Sequence, residues 1–164
     1  MNENQAVQFN YRVVGIVIHN GRVLAHRGED EGFWTLPGGH AELLEPAALT
    51  LKRELREELG IEVEVGRLVW VVENFFTWNT RRWHEIALYF LVQLWPTAPI
   101  ITRTEGFGGS EAASKLRFRW FDLDQLTDLE LYPGFLRREL RAIPATTTHI
   151  VWTDPEPEAP LSEP

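Results

Sequence analysis

The run Arg-Glu-Leu-Arg-Glu-Glu-Leu at residues 53–59 sets Glu54, Glu57 and Glu58 within one short stretch. On a helix, carboxylates three and four residues apart lie side by side and repel by a few tenths of a kcal/mol per pair. A sequence selected for stability alone seldom does this, so a positive charge is expected above them. Such an oxygen cluster suits a hard divalent cation. Mg²⁺ prefers oxygen ligands, keeps several waters and binds through a few carboxylates plus substrate phosphates. The plainer reading is a solvated acidic face with Lys52 and Arg53 as ion-pair partners, since charge runs usually lie on surfaces.

The helix that carries these acids can be drawn from its own signals. Pro46 falls in its first turn and Gly60 just past its end, the usual asymmetry of helix start and stop. At about 100° per residue, Ala48, Leu51, Leu55 and Leu59 form an apolar stripe. The acidic stripe is centred roughly 110° away by the same geometry, so it borders the buried face. Ala47 and Thr50 share the acidic side and are small, leaving room for another segment to approach.

Before this helix, two apolar runs flank His19-Asn20-Gly21, a hairpin signal, and predict strands at about residues 10–18 and 22–27. A loop follows, with Gly32, Pro37, Gly38 and Gly39. After the helix, residues 61–76 and 82–94 read as strands, with Thr77–Arg82 as a loop between them. Residues 96–115 read as a longer, glycine-bearing loop, 116–123 as a strand, 132–143 as a last helix and 148–153 as a short strand. The layout predicts an α+β fold with a mixed sheet sandwiched between helices. One domain over residues 1–154 is expected, with a disordered Pro/Glu-rich tail at 155–164.

A chain of 164 residues suits a single domain with a real core. It has no cysteine, which excludes disulfides, thiolate metal sites and a cysteine nucleophile. The net charge of −8 and the absence of a Lys/Arg stripe argue against binding nucleic acid through its backbone. No apolar run approaches the roughly 20 residues of a membrane span, and the N-terminus does not read as a secretory signal. The cytoplasm is the expected compartment.

The spacing around the acids narrows the chemistry. From Gly39, five residues lead to Glu45; seven more lead to Arg53-Glu54-Leu55, then one residue, Glu57-Glu58, one residue, Gly60 and Ile61. This resembles the Nudix box of the Nudix (MutT-like) hydrolase family at every specified position. The chance of such a match is on the order of 10⁻⁹ per starting position at average residue frequencies. The flanking hairpin and strands are compatible with the Nudix fold. The resemblance implies a loop–helix–loop that binds Mg²⁺, with Mn²⁺ as a substitute. Glu54, Glu57, Glu58 and the Gly38 carbonyl would be ligands. Glu45 would support the site, and Arg53 would hold the glutamates by ion pairing. The implied reaction is hydrolysis of the diphosphate linkage in a nucleoside diphosphate joined to a group X. Many family members carry Gly before the box glutamate. Leu44 stands there instead, a departure that touches the loop but removes no ligand.

A further carboxylate from a loop outside the box often serves this family as base or extra ligand. Glu105 and Glu111 are the candidates, Glu111 favoured for lying closer to the following strand; Glu58 itself could be the base. Arg27, at the end of the second strand, could hold a substrate phosphate, as could Arg81, Arg82 and His84. Phe33, Trp70, Phe75, Phe76 and Trp78 could stack on a base, although most strand aromatics are core. The expected partner is a small nucleotide, with a second copy of the chain able to pair through the aromatic strand at residues 69–76. The rival reading is a Nudix domain that binds a nucleotide and regulates without turning it over.

Overall fold

The computed structural model describes residues 7–110, 113 and 115–155. Residues 156–164 of the tail predicted at 155–164, and Glu111, lie outside the described residues. In chain order the elements are β1 (Val7–His19), β2 (Arg22–Gly28), β3 (Gly38–His40), α1 (Ala47–Leu59), β4 (Val63–Trp78), β5 (Arg81–Leu94), β6 (Phe107–Gly108), β7 (Leu116–Asp122), α2 (Leu136–Glu139) and β8 (Thr148–Thr153). Short 3₁₀ turns cover Pro99–Thr102 and Leu123–Gln125.

Among the described residues the strands form one mixed sheet in the order β6-β7-β2-β1-β5-β4-β8, with β3 paired to β1. The β1–β2 hairpin closes on Asn20 and Gly21, both at positive φ (49° and 71°). That is the two-residue turn whose twist matches a right-handed strand pair. The same geometry closes β4 onto β5 through Asn79 (φ 49°) and Thr80 (φ 61°). The expected Thr77–Arg82 loop is therefore mostly strand, since Trp78 pairs directly with Arg81.

Alternation along β1 splits the core. Val14 and Ile16 face a cluster with Trp70, Val72, Tyr89, Leu131, Phe135 and Leu136. Val13 and Val17 face the other side, against Leu51, Leu55, Val63, Val92 and Phe118. Helix α1 covers this second face with Leu51 and Leu55 fully buried, as its apolar stripe predicts. Pro46 stands just outside as N-cap, and Gly60, at φ 67°, returns its N–H to the Arg56 carbonyl. The layer over the first face is thinner than expected. Only Leu136–Glu139 forms an α turn. On both sides the chain uses i→i+3 bonds instead, Arg137 to Gly134 and Ala142 to Glu139, which tighten it into 3₁₀-like turns. Irregularities in β4 between Val65 and Trp70 shift its register against β5. A bulge of this kind re-aims the side chains beyond it, and Asn74, Phe76 and Trp78 thereby face a cleft.

Candidate active site

The glycine pair before the helix is dictated by two close approaches. Gly38 and Gly39 pair with Val14 and Val13 of β1. A Cβ on Gly38, whose φ is 154°, would lie 2.1 Å from the Val13 carbonyl oxygen. A Cβ on Gly39 would lie 2.2 Å from Cδ of Glu54. The Glu54 carboxylate thus rests directly on the backbone of β3. Two residues before the box glutamate Leu43 is exposed, and Leu44 adopts a left-handed φ of 64° with its side chain in solvent. The chain keeps the backbone that glycine adopts freely and carries the strain of a leucine there.

Arg53 organises the acids. Its Nη1 donates to Glu54 Oε1 at 2.8 Å and to Glu57 Oε2 at 3.5 Å, and its Nη2 donates to Glu45 Oε2 at 3.1 Å. The buried Thr50 hydroxyl also donates to Glu45, at 2.8 Å. Arg53 and then Thr50 hold the Glu45 carboxyl below its ordinary value, and Glu45 in turn raises that of Arg53. Thr50 therefore fills its place as a hydrogen-bond donor instead of leaving space for another segment.

Glu58 is different. Burial, and then the Glu54 charge, push its carboxyl up to about 8, against an opposing pull from Arg12. Its Oε2 is buried and has no hydrogen-bond partner among the described residues. His26 Nδ1, equally unpartnered, lies 3.7 Å away. Burial, with Arg12 second, lowers His26 to about 3, so its ring is neutral at pH 7. At that distance and protonation the two form no ion pair.

The donors on this flank are the oxygens of Glu54, Glu57 and Glu58 and the Gly38 carbonyl, which accepts a long 3.4 Å bond from Arg12. As the side chains stand, no three His, Asp or Glu groups among the described residues gather closely enough to hold an ion. Arg53 draws Glu54 and Glu57 to itself, while Glu58 turns toward His26. The hard oxygen set and the orphaned Glu58 Oε2 nonetheless fit a divalent cation, which would relieve both the repulsion and the missing partner.

Glu54 and Glu58 open into a cleft of about 780 Å³. Arg12, His26, Arg27, Gly38 and Gly39 line its acidic end. Asn10, Asn74, Phe76, Trp78, Trp83 and Glu85 line the other. That is the volume and polarity of a small-molecule site.

A model of the NUDIX domain matches residues 10–142 of this chain. The chain belongs to the NUDIX family. A MutT-like protein of Streptomyces ambofaciens is 48% identical over 63 residues, 38% of this chain and 41% of that protein. An 8-oxo-dGTP diphosphatase of Buchnera aphidicola (subsp. Schizaphis graminum) is 27% identical over 118 residues, 70% of this chain and 78% of its own. The chain matches only 41%, 29% and 20% of the length of three relatives, the Streptomyces protein, a Mycobacterium tuberculosis mutator protein and a human mRNA hydrolase. The MutT protein of Bacillus halodurans has the same fold, with a TM-score of 0.60 at 18% identity over 88% of this chain and 90% of its own.

Within this NUDIX fold the sequence candidates part company. Gly38, Glu54 and Glu58 meet at the cleft. Glu57 sits on its outer flank, half-exposed and tied to Arg53. Arg27 lines the cleft with its guanidinium 4.8 Å from the Trp34 ring centre, and Phe33, Phe76 and Trp78 line it too. Phe75 does not. It faces the opposite side of the sheet, stacked on His84 with ring centres 4.5 Å apart, because successive strand residues alternate. Arg81 and Arg82 are exposed at the hairpin end, away from the lining, and Trp70 is core. Glu105 is an exposed loop residue off the cleft. Next to the undescribed Glu111, Ser110 is anchored: its N–H donates to the Glu58 carbonyl at 2.6 Å and its hydroxyl to that of Glu57.

Sequence reasoning passed over Arg12, His26, Asn10, Asn74 and Glu85. A signal existed for two of them. Asn10 and Arg12 share the parity of Val14 and Ile16, and a polar residue on the inward face of a strand asks for a partner.

Proposed function

We propose that this chain is a divalent-cation-dependent Nudix hydrolase. Its reaction cleaves the diphosphate linkage of a nucleoside diphosphate joined to X, a nucleoside triphosphate or a related nucleotide. The products are a nucleoside monophosphate and pyrophosphate or phosphate-X. The observation that carries this reading is the buried, unpartnered Glu58 carboxyl, beside Glu54, at one end of a cleft whose other end is aromatic and amide-lined.

Glu54, Glu57, Glu58 and the Gly38 carbonyl would hold Mg²⁺, with Mn²⁺ as a substitute. When bound, the ion supplies an acidified water, a polarised phosphoryl oxygen and charge neutralisation for the leaving phosphate. The chain supplies the positioning. Arg53 restrains Glu45, Glu54 and Glu57 together, as ligand carboxylates require. Arg27 and Arg12 put positive charge along the cleft, where a polyphosphate would lie beside the acids. Neutral His26 and the apolar walls keep Glu58 out of bulk water, and its carboxylate oxygen not engaged with the ion would take the proton of the attacking water. Glu111 remains a second candidate for that proton.

The test is a panel of ribo- and deoxynucleoside triphosphates, nucleotide sugars and dinucleoside polyphosphates, assayed with Mg²⁺ or Mn²⁺ and after chelation. Metal-dependent release of a nucleoside monophosphate is the expected result. Tight nucleotide binding with no turnover of any of them would replace this reading with that of a regulatory binding domain.

A further inference from the structure

One row of side chains in the cleft is polar, buried and incompletely bonded. Asn10 on β1 and Asn74 on β4 are each the direct cross-strand neighbour of Glu85 on β5. The three are 8%, 3% and 6% exposed. Asn10 Nδ2 donates to Glu85 Oε2 at 2.7 Å, and Asn74 Nδ2 makes a longer bond to Oε1, 3.5 Å. A carboxylate only accepts hydrogen bonds, so both amides must turn their NH₂ groups toward Glu85. Their oxygens are thereby committed elsewhere. Asn10 Oδ1 and Asn74 Oδ1 are both buried with no partner among the described residues, and all three residues line the cleft.

Native proteins rarely leave such groups unsatisfied. Two buried amide oxygens flanking their shared Glu85 anchor present two free acceptors to the cleft. The residues around it complete a place for a flat ring. One row outward, Phe76 and Trp83 are cross-strand neighbours with ring planes 3° apart and centres 6.0 Å apart. Trp83 Nε1 is itself a donor with no partner among the described residues. One row inward, Arg12 begins the positively charged path to Glu58.

We infer that the Asn10–Glu85–Asn74 row reads the nucleobase and selects bases that carry an exocyclic amino group over bases that carry a carbonyl there. This rests on the reading of the chain as a nucleotide hydrolase. A base amino group would donate to the waiting amide oxygens. A carbonyl in its place would set oxygen against oxygen in a buried site, the arrangement that gives polar pockets their strongest rejection. Glu85 is a positioning residue: it fixes which way the two amides point.

The experiment compares matched pairs that share the same triphosphate, CTP with UTP and ATP with ITP. Wild-type protein should show kcat/KM at least about tenfold higher for the amino member of at least one pair. Glu85→Gln frees the amides to reverse, and Asn74→Leu removes one acceptor at similar size. Each should bring the ratio toward one. A merely structural role would lower both members of a pair equally and leave the ratio intact. Wild-type ratios within threefold of one in both pairs would overturn the inference, even if the variants fail to fold. If no triphosphate is hydrolysed, the hydrolase reading is decided separately, by the nucleotide sugars and dinucleoside polyphosphates of the wider panel. The dissociation constants of the same pairs, measured by calorimetry in EDTA, then decide: an amino preference keeps the row's role, and equal affinities or no binding remove it.

Discussion

Replacing Glu58 by glutamine should make the metal-free protein more stable and the enzyme nearly inactive. The wild-type carboxyl is raised from 4.5 to about 8, chiefly by burial and then by Glu54. Its folded value lies above its unfolded one, so the sign is fixed. The stabilisation associated with the protonated form is full below about pH 4.5, declines as pH rises, and is gone above about pH 8. Ionising this group in place costs at most on the order of 5 kcal/mol. Glutamine keeps the shape and avoids the charge, but its amide also lacks a ready partner, which offsets about 1–3 kcal/mol. A net gain of roughly 2–4 kcal/mol at pH 9 should remain, and none at pH 5, where the amide offset outweighs an ionisation cost below about 1 kcal/mol. For a domain of this size that is about 4–16 °C in Tm. Urea or thermal unfolding in EDTA at pH 5, 7 and 9, on both proteins, isolates the Glu58 contribution, because Glu45 and the other titrating groups are common to both. With Mg²⁺ present the variant should turn over at least about a hundredfold more slowly. Parallel pH–stability curves for the two proteins would refute the argument that Glu58 bears a buried charge. Full activity of the variant would refute its place in the chemistry.

Arg53→Ala should raise the Mg²⁺ concentration for half-maximal activity about 10–100-fold, the usual cost of losing a partner that orients metal ligands; an unchanged Mg²⁺ titration would count against it. Gly39→Ala should displace the Glu54 carboxyl, lowering stability by about 1–3 kcal/mol and Mg²⁺ affinity with it, and calorimetric Mg²⁺ binding equal to wild type would contradict the close approach. Thr80→Gly should stabilise the fold by about 0.5–1 kcal/mol, since a β-branched residue at φ 61° carries roughly 1–2 kcal/mol of left-handed strain, partly offset by glycine's extra freedom when unfolded. Its urea midpoint should rise with activity unchanged, and a lower midpoint would mean that the Thr80 side chain contributes something beyond strain.

The acidic end of the cleft was legible because its information is local. Glu54, Glu57 and Glu58 are helical neighbours, Pro46 and Gly60 mark the helix ends, and the apolar stripe shows which flank borders the core. The other end was not. Asn10, Asn74 and Glu85 meet only through strand register, and no short-range pattern states that residue 10 sits beside residue 85. Phe75 was chosen over Asn74 because its ring suggested stacking, whereas sheet parity points it the other way. The β4–β5 turn was read too long because Asn79-Thr80 lacks the glycine that usually advertises a tight hairpin. The last helix was read too long because its apolar spacing is helical, although the residues on either side of Leu136–Glu139 take the tighter i→i+3 pattern.

The parallel pairing of β1 with β5 also bears on how the molecule comes into being. It joins Val7 to Arg82 and Val17 to Val92, partners 75 residues apart in the chain. Closing so long a loop is an entropic hurdle that local contacts cannot lower. Helix α1 and both hairpins can form first, but the strand carrying Asn10 and Arg12 gains β5 along its other edge only after residue 92 is made. A nascent chain on the ribosome would therefore acquire its acids early and its binding cleft late.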